Sequence, residues 1–271
     1  MSATVERTEL ITPEPSAALA GLLDVPLPDP DEGLPLTWHW VHLLDRSPQA
    51  DLGPDGHAVR GTLPAPPGPG RRRMWAGGSV RRLGPLRVGE PATRLSSVTA
   101  TEEKVGRSGR LTFVTVGHTV TQRGQVVVEE RQDIVYRDAA AAPVTAEGAG
   151  EVPGTVEVGP DEWSLPVDPV LLFRFSALTY NGHRIHYDRD HARTEGYPGL
   201  VVHGPLQAVA MAGAARRRGL GARPGQVLDY RLVAPLIEGQ GLVAGALERD
   251  GVVSTWVRDA SGRRTAVGRL S

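Results

Sequence analysis

The chain has 271 residues, with 30 Lys and Arg against 31 Asp and Glu, so its formal net charge is −1. This balance gives no overall basic field to hold a nucleic acid or an anionic membrane. The absence of cysteine excludes a disulfide framework, a thiolate metal site and a cysteine nucleophile. Met1 to Thr12 lacks the basic start and apolar core of a secretory signal, and no apolar run has membrane-spanning length. We therefore expect a soluble, cytoplasmic protein without nucleic-acid or membrane partners.

The first part of the chain is dominated by segments rich in Pro and Gly. Residues 13–35 and 48–70 have this composition, which does not sustain helices or sheet ladders, so both are predicted to be loops. Between them, the crowded apolar residues of Leu36–Asp45 favour a short buried helix.

A long hairpin follows. Leu111–Thr121 and Gln125–Tyr136 alternate β-branched with other residues, and Arg123-Gly124 separates them as a turn. This pattern predicts two antiparallel strands. Residues 139–154 consist mainly of Ala, Pro and Gly, which is a linker composition.

A strongly apolar helix is predicted in the second half. No residue between His203 and Ala215 is charged, and apolar side chains occupy every side of the helical wheel. Such a helix must be buried all round, which a curved antiparallel sheet wrapped around it would achieve. Pro205 suits the first helical turn, and residues 216–218, all Arg, mark the C-terminal end, where the helix dipole favours cations.

The C-terminal region repeats features of the first half. Gly241–Glu248 and Val252–Arg258 flank a turn at Asp250-Gly251 and predict a second hairpin. The pattern P-L-x-x-G-[EQ] occurs in both Pro85–Glu90 and Pro235–Gln240, each ahead of its hairpin. These similarities indicate an internal duplication.

Two neighbouring segments contain the densest set of reactive side chains. Arg174–Asp188 (RFSALTYNGHRIHYD) contains two His, an Asn, two Arg and an Asp, and Gly196–Leu206 (GYPGLVVHGPL) leads into the apolar helix. Both strings resemble the hydroxyacyl-thioester dehydratase type 2 branch of the MaoC-like hydratases and dehydratases, which includes mesaconyl-CoA and itaconyl-CoA hydratases. In the first half the resemblance extends through residues 106–109 and 129–137.

The resemblance implies an α+β double hot-dog fold, in which a curved antiparallel sheet wraps around a central helix and the unit is duplicated in one chain. We expect a degenerate first module at 1–138, a linker at 139–154 and a catalytic second module at 155–271. The first module would cover the acyl tunnel without catalytic residues. A lone histidine near apolar residues is more often structural than catalytic, and we interpret the four histidines of this module, His39, His42, His57 and His118, as structural.

The resemblance also implies site residues. Asn181, His183 and His186 would form the catalytic group, with Asn181 where the wider family has an acid. Because an amide cannot shuttle a proton, either His186 makes both proton transfers or His183 or Asp188 makes the second. The sequence leaves these alternatives open. Histidine suits the task because its pKa of about 6.5 makes both forms accessible near neutral pH.

The enolate formed in such a reaction needs a hydrogen-bond donor. The free N–H of Gly204 at the helix start would provide one. Tyr180, Arg184, Tyr197 and His203 complete the predicted substrate-binding set. His203 has a structural alternative at the start of the helix, and the arginines could instead form surface salt bridges.

We expect an enzyme that hydrates or dehydrates an acyl thioester, with no metal and no dissociable cofactor. A short dicarboxylyl-CoA such as mesaconyl-CoA is the first expected substrate, and a 3-hydroxyacyl group on acyl carrier protein is the alternative. A thioesterase on the same fold is less favoured. A non-catalytic thioester-binding protein is permitted by the amide at Asn181. The fold is also compatible with a homodimer.

Overall fold

An antiparallel sheet forms the frame of the molecule. The computed structural model describes residues 4–63, 71–106, 109–138, 156–221 and 224–271. The strands in these residues are β1 (Val5–Leu10), β2 (Arg71–Arg82), β3 (Pro91–Gly106), β4 (Gly109–Gln122), β5 (Gln125–Asp138), β6 (Glu162–Leu165), β7 (Val227–Leu232), β8 (Leu242–Arg249), β9 (Val252–Arg258) and β10 (Arg264–Leu270). They join in the order β1-β3-β4-β5-β2-β7-β10-β9-β8-β6.

The two predicted hairpins are confirmed. Strands β4 and β5 pair antiparallel, as do β8 and β9. Arg123 and Asp250 begin the two turns with positive φ angles of 52° and 51°. Strands β1–β5 occupy one half of the sheet and β6–β10 the other. The predicted linker at 139–154, like Arg107 and Ser108, lies outside the described residues, so the division of the chain at that point stays a prediction.

The predicted apolar helix is also confirmed. The α-helices of the described residues are α1 (Pro13–Leu23), α2 (Pro169–Leu178), α3 (Arg189–Thr194) and α4 (Gly204–Arg217). Helix α4 packs mainly on β8 and β9 and also reaches β2, β6, β7 and β10. A helix that contacts so many strands must lie in the concave face of a curved sheet. Its many alanines allow this close approach, and buried Gln207 accepts a hydrogen bond from Thr265 at 2.7 Å.

The repeated P-L-x-x-G-[EQ] pattern has the same structural role in both halves. Leu86 and Leu236 are 2% and 0% exposed, so each anchors its turn in the core. Gly89 and Gly239 have φ angles of 87° and 76°, in the left-handed region that favours glycine. Each turn ends just before a strand, β3 or β8. The sequence repeat therefore corresponds to a repeated turn.

The predictions for residues 13–45 were partly wrong. Residues 13–35 contain α1 instead of being only a loop, because Pro13 lies in the first turn, where its missing N–H has no helical partner. The predicted helix within Leu36–Asp45 is only a 3₁₀ turn, Trp38–Val41. It ends there because the next residue, His42, has an extended backbone with φ −121° and ψ 166°. No helix in the described part of the chain has the length and apolar character needed to cross a membrane.

The two halves of the sheet meet at β2 and β7, where glycine permits very close backbone contact. Gly77 and Gly78 pair with Arg231 and Tyr230. A Cβ atom at Gly77 would lie 2.4 Å from the carbonyl oxygen of Tyr230 on β7, and one at Gly78 would lie 2.1 Å from that of Arg131 on β5. No side chain fits there without movement of the backbone.

We predict that Gly78→Ala lowers the free energy of unfolding by about 1–3 kcal/mol, because the added methyl group forces β2 and β5 apart. Urea denaturation followed by circular dichroism measures the effect. Gly21→Ala in α1 is the matched control, because its added Cβ meets no atom within 4 Å. That change should stabilise the helix by up to about 1 kcal/mol. Equal unfolding midpoints for native protein and Gly78→Ala would contradict the close-contact explanation.

Candidate active site

The turn after α2 directs the histidine-rich segment into the core. Thr179 Oγ1 donates to the carbonyl of Phe175 at 2.7 Å, and the N–H of Asn181 donates to the carbonyl of Ser176 at 2.8 Å. Tyr180 has a positive φ of 52°, which reverses the chain. Helix α2 therefore stops abruptly at Leu178.

Asn181 shapes the next turn. Its Oδ1 accepts the backbone N–H of His183 at 2.9 Å, a short-range bond typical of Asn in turns. A 3₁₀ turn, Arg184–His186, follows directly. The structure thus gives Asn181 a turn-capping role, and its catalytic role stays a prediction.

His186 is held as a neutral ring with one free nitrogen. It is 7% exposed, and its Nδ1 lies 2.7 Å from the carbonyl oxygen of Val201. A carbonyl only accepts, so Nδ1 carries the proton and Nε2 keeps its lone pair. Burial, followed by the neighbouring His203 and His183, lowers the pKa of His186 well below 6.5. His186 is therefore positioned as a base.

His203 fixes the plane of that ring. The two imidazoles stack with centroids 3.7 Å apart and planes inclined by 21°. His203 is completely buried, and its Nε2 lies 2.8 Å from Ser176 Oγ. Burial, with a smaller effect of His183, lowers the pKa of His203 to about 3. Two stacked neutral rings avoid the repulsion that a charged pair would produce.

A loop from the first half of the chain brings a further histidine to this site. The His57 ring lies 3.9 Å from the His183 ring, which in turn meets His186 edge-on at 5.3 Å. His57 Nδ1 is 3.0 Å from Asp55 Oδ2. We call His57, His183, His186 and His203 the histidine array. Sequence analysis missed Asp55 and interpreted His57 as structural; the Asp two positions before a His was the available signal.

Backbone contacts hold this loop against the turn of His183. The N–H of Arg184 donates to the carbonyl of Asp55 at 2.9 Å, and its Nη1 donates to that of Pro54 at 3.0 Å. Gly56 has a φ of 86°, and a Cβ there would lie 1.8 Å from the carbonyl oxygen of Gly182. The glycines therefore allow the two segments to touch and place Asp55 and His57 beside the array.

A second carboxylate flanks the array. Glu195 Oε1, just after α3, lies 4.0 Å from His183 Nε2 and 3.1 Å from His191 Nε2. Although burial raises the pKa of Glu195, His183 and Arg72 lower it overall. Burial likewise raises the pKa of Asp55, but the hydrogen bonds and charge of His57, together with the charge of His183, lower it overall. Both carboxylates are therefore ionised near neutral pH.

A cleft of about 730 Å³ adjoins the array. His57, Ser176, Tyr180, Asn181 and Gly182 line one part of it. Its volume lies in the range of about 300–1,000 Å³ typical of small-molecule sites. Tyr180 is 58% exposed. Among the four rings of the array, His57 is the one that lines the cleft.

The other predicted binding residues have different surroundings. Arg184 Nη2 pairs with Asp188 at 2.8 Å, so its guanidinium is already engaged. Tyr197 is buried in a small apolar cluster with Ile185. Gly204 begins α4, where a Cβ would lie 2.4 Å from Leu232. Substrate contacts by Arg184, Tyr197 and Gly204 stay predictions.

One group of described residues has its ligand atoms close enough for a metal ion. These atoms of Asp55, His57 and His183 lie within 4.8 Å of one another. The hydrogen bond between Asp55 and His57 uses the same atoms, so the arrangement is also satisfied without an ion. Asp188, the sequence-based alternative for the second proton transfer, pairs with Arg184 and caps α3.

Known proteins share both the sequence and the fold. Residues 37–238 match the family described as hydroxyacyl-thioester dehydratase type 2. The chain is 48% identical over 224 residues to mesaconyl-C(4)-CoA hydratase of Chloroflexus aurantiacus, covering 82% of this chain and 78% of that one. A solved MaoC-like dehydratase has a TM-score of 0.70 at 19% identity, covering 99% of this chain and 96% of the other.

A Mycobacterium tuberculosis protein with a double hot-dog fold has a TM-score of 0.58 at 14% identity, covering 99% of this chain and 94% of that one. At such low identity these two structures show the fold alone, and they confirm the predicted double hot-dog. The family match covers most of the chain and includes the entire histidine-rich segment. The chain belongs to the hydroxyacyl-thioester dehydratase type 2 family.

Proposed function

We propose that this protein interconverts a 2-enoyl thioester and a 3-hydroxyacyl thioester by adding or removing water. The observation that carries the proposal is the buried, neutral His186, whose Nδ1 is fixed by the Val201 carbonyl so that Nε2 is available as a base. Membership of a dehydratase family supports the same reaction. The substrate we favour is a short dicarboxylyl-CoA of the mesaconyl-CoA type, which the 48% identical relative supports.

In the hydration direction, His186 Nε2 removes a proton from water while the water oxygen bonds to C3, counted from the thioester carbonyl. The C2=C3 electron pair moves toward the thioester oxygen and forms an enolate. C2 then takes a proton, which completes the addition of one water. Dehydration follows the same steps in reverse. These steps need only side chains, water and the thioester, so we propose no dissociable cofactor.

The enolate needs a donor at its oxygen. The first N–H groups of a helix have no helical acceptor, and the helix dipole favours negative charge there. Gly204 offers such an N–H at the start of α4, next to His203 in the array. Removing one donor of this kind typically costs about 3 kcal/mol in the barrier. We assign the enolate contact to Gly204.

The cleft also suits a negatively charged substrate. Arg7, Arg46 and Arg60 line it, together with Asp45 and Asp51. Arg60 has a side chain that is 79% exposed and pairs with Asp51 at 3.2 Å, an exposed ion pair of small energy. A guanidinium so weakly held can exchange its partner for a substrate carboxylate or a coenzyme A phosphate. This supports a negatively charged coenzyme A thioester as the substrate, with the charge on its phosphates or on an acyl carboxylate.

We predict that the native protein removes the enoyl-thioester ultraviolet absorbance of mesaconyl-CoA. His186→Ala should lower kcat by about 10²- to 10⁴-fold, because the base is lost. Stopped-flow absorbance measures both. His42→Gln is the matched control: it removes another buried histidine, bonded to Ser16 at 2.9 Å, that makes no ring contact with the array in the described structure. Turnover by His186→Ala equal to that of the control would contradict the assignment.

We also predict an acid-shifted pH profile. Only the neutral ring of His186 acts as a base, and its lowered pKa keeps that form present at mildly acidic pH. kcat/KM should therefore stay level as the pH falls through 6.5 and decline only at lower pH. Circular dichroism at each pH checks that the protein remains folded. A decline centred at or above pH 6.5 in folded protein would exclude His186 as the base.

A further inference from the structure

We propose that His57, oriented by Asp55, is a second catalytic residue, which the first half of the chain contributes and which exchanges the proton at C2. The proposal rests on the proposed hydration reaction and names the group that makes its second proton transfer. It also revises the expectation that the first half only covers the acyl tunnel.

The position of His57 is the first argument. Its ring lines the cleft, together with Asn181 and Ser176. A substrate in the cleft would therefore touch His57. Its backbone is fixed as well, because the N–H of Arg184 bonds to Asp55 and Gly56 lies directly against Gly182. A ring held this firmly against the histidine array is placed for chemistry.

The partner of His57 is the second argument. Asp55 lies 3.0 Å from Nδ1 through Oδ2, and its Oδ1 accepts the backbone N–H of His57 at 3.0 Å. The ionised carboxylate fixes the proton on Nδ1 and leaves Nε2 to exchange protons. It also stabilises the imidazolium that forms when Nε2 takes a proton. Even with Asp55 beside it, burial and His183 lower the pKa of His57 to about 4, so the resting ring is neutral.

The third argument is the path between the two bases. His183 contacts both His186 and His57. A proton on His186 is unfavourable, because the ring is buried and stacked on His203. Toward His57 and His183 the array is flanked by Asp55 and Glu195, which favour positive charge there. A proton that His186 takes from water is therefore better tolerated at His183 and His57, and it moves toward them.

The proposed steps balance in protons and electrons when they start with His186 and His57 neutral. Water gives a proton to Nε2 of His186 as its oxygen bonds to C3 and the enolate forms. The proton passes along the contacting rings, from His186 through His183 to His57. His57 then gives the proton to C2, and the enolate becomes the saturated thioester. One water is added, and every histidine is neutral again.

Chemical rescue separates this role from a structural one. His57→Ala should lower kcat by about 10²- to 10⁴-fold. Added imidazole should restore activity, with substituted imidazoles differing according to their pKa. Asp55→Asn should lower kcat with little change in KM. The activity of His42→Gln should not change when imidazole or a substituted imidazole is added. Thermal unfolding should show that all variants fold.

Deuterium exchange at C2 tests which histidine transfers the proton at C2. In D₂O, His186→Ala should still exchange the C2 hydrogen of the 3-hydroxyacyl-CoA product, because His57 is present, although elimination is lost. His57→Ala should lose both exchange and elimination. If native protein turns over mesaconyl-CoA while His57→Ala keeps its activity and exchange, the role of His57 is wrong and the hydratase proposal stands. If native protein hydrates no thioester, the proposed function itself fails.

A metal test concerns the side chains of Asp55, His57 and His183, whose ligand atoms lie close together. Native protein treated with EDTA should keep its full activity. Loss of activity in EDTA and its return with Zn²⁺ would make Asp55, His57 and His183 a metal site and overturn the acid–base role.

Discussion

The stacked imidazole rings of His186 and His203 can share a buried site only if both remain almost entirely neutral. His186 and His203 stack at 3.7 Å, and His183 lies between His186 and His57. A proton on one ring strongly disfavours a proton on the next. The contacts of the two stacked rings are consistent with this condition: Val201 defines the tautomer of His186, and Ser176 provides a neutral partner for His203. The array can therefore accept a single proton, and burial and repulsion between neighbouring rings favour the release of that proton.

The carboxylates determine where that proton is best tolerated. Asp55 and Glu195 lie at the His57 and His183 end, whereas the other end meets Ser176 and the ring of Phe175. This asymmetry depends on both halves of the chain, because the loop of Asp55 reaches the turn of Gly182. The same dependence explains the glycine contacts. A methyl group at Gly56 would separate the charge from the rings it stabilises.

Much of the fold follows from local sequence patterns, whereas part of the site does not. Uncharged residues between 203 and 215 can only form a helix buried on all sides, and α4 is that helix. Helix α1 was missed because a segment that begins a helix with proline has a composition similar to that of a loop. His57 was missed for a different reason. Composition identifies residues 53–58 as irregular, but the place where a loop docks depends on tertiary contacts far away in sequence, here with Arg184.

Asn181 illustrates the same electrostatic condition. A carboxylate at this position could accept the N–H of His183 equally well. It would, however, add a negative charge beside rings that already face two ionised carboxylates. Opposite charge raises the pKa of a histidine, so a ring would hold its proton instead of passing it on. An amide keeps the hydrogen bond without the charge. Proton exchange can then be the task of the Asp55–His57 pair, and the amide at 181 is compatible with a working hydratase.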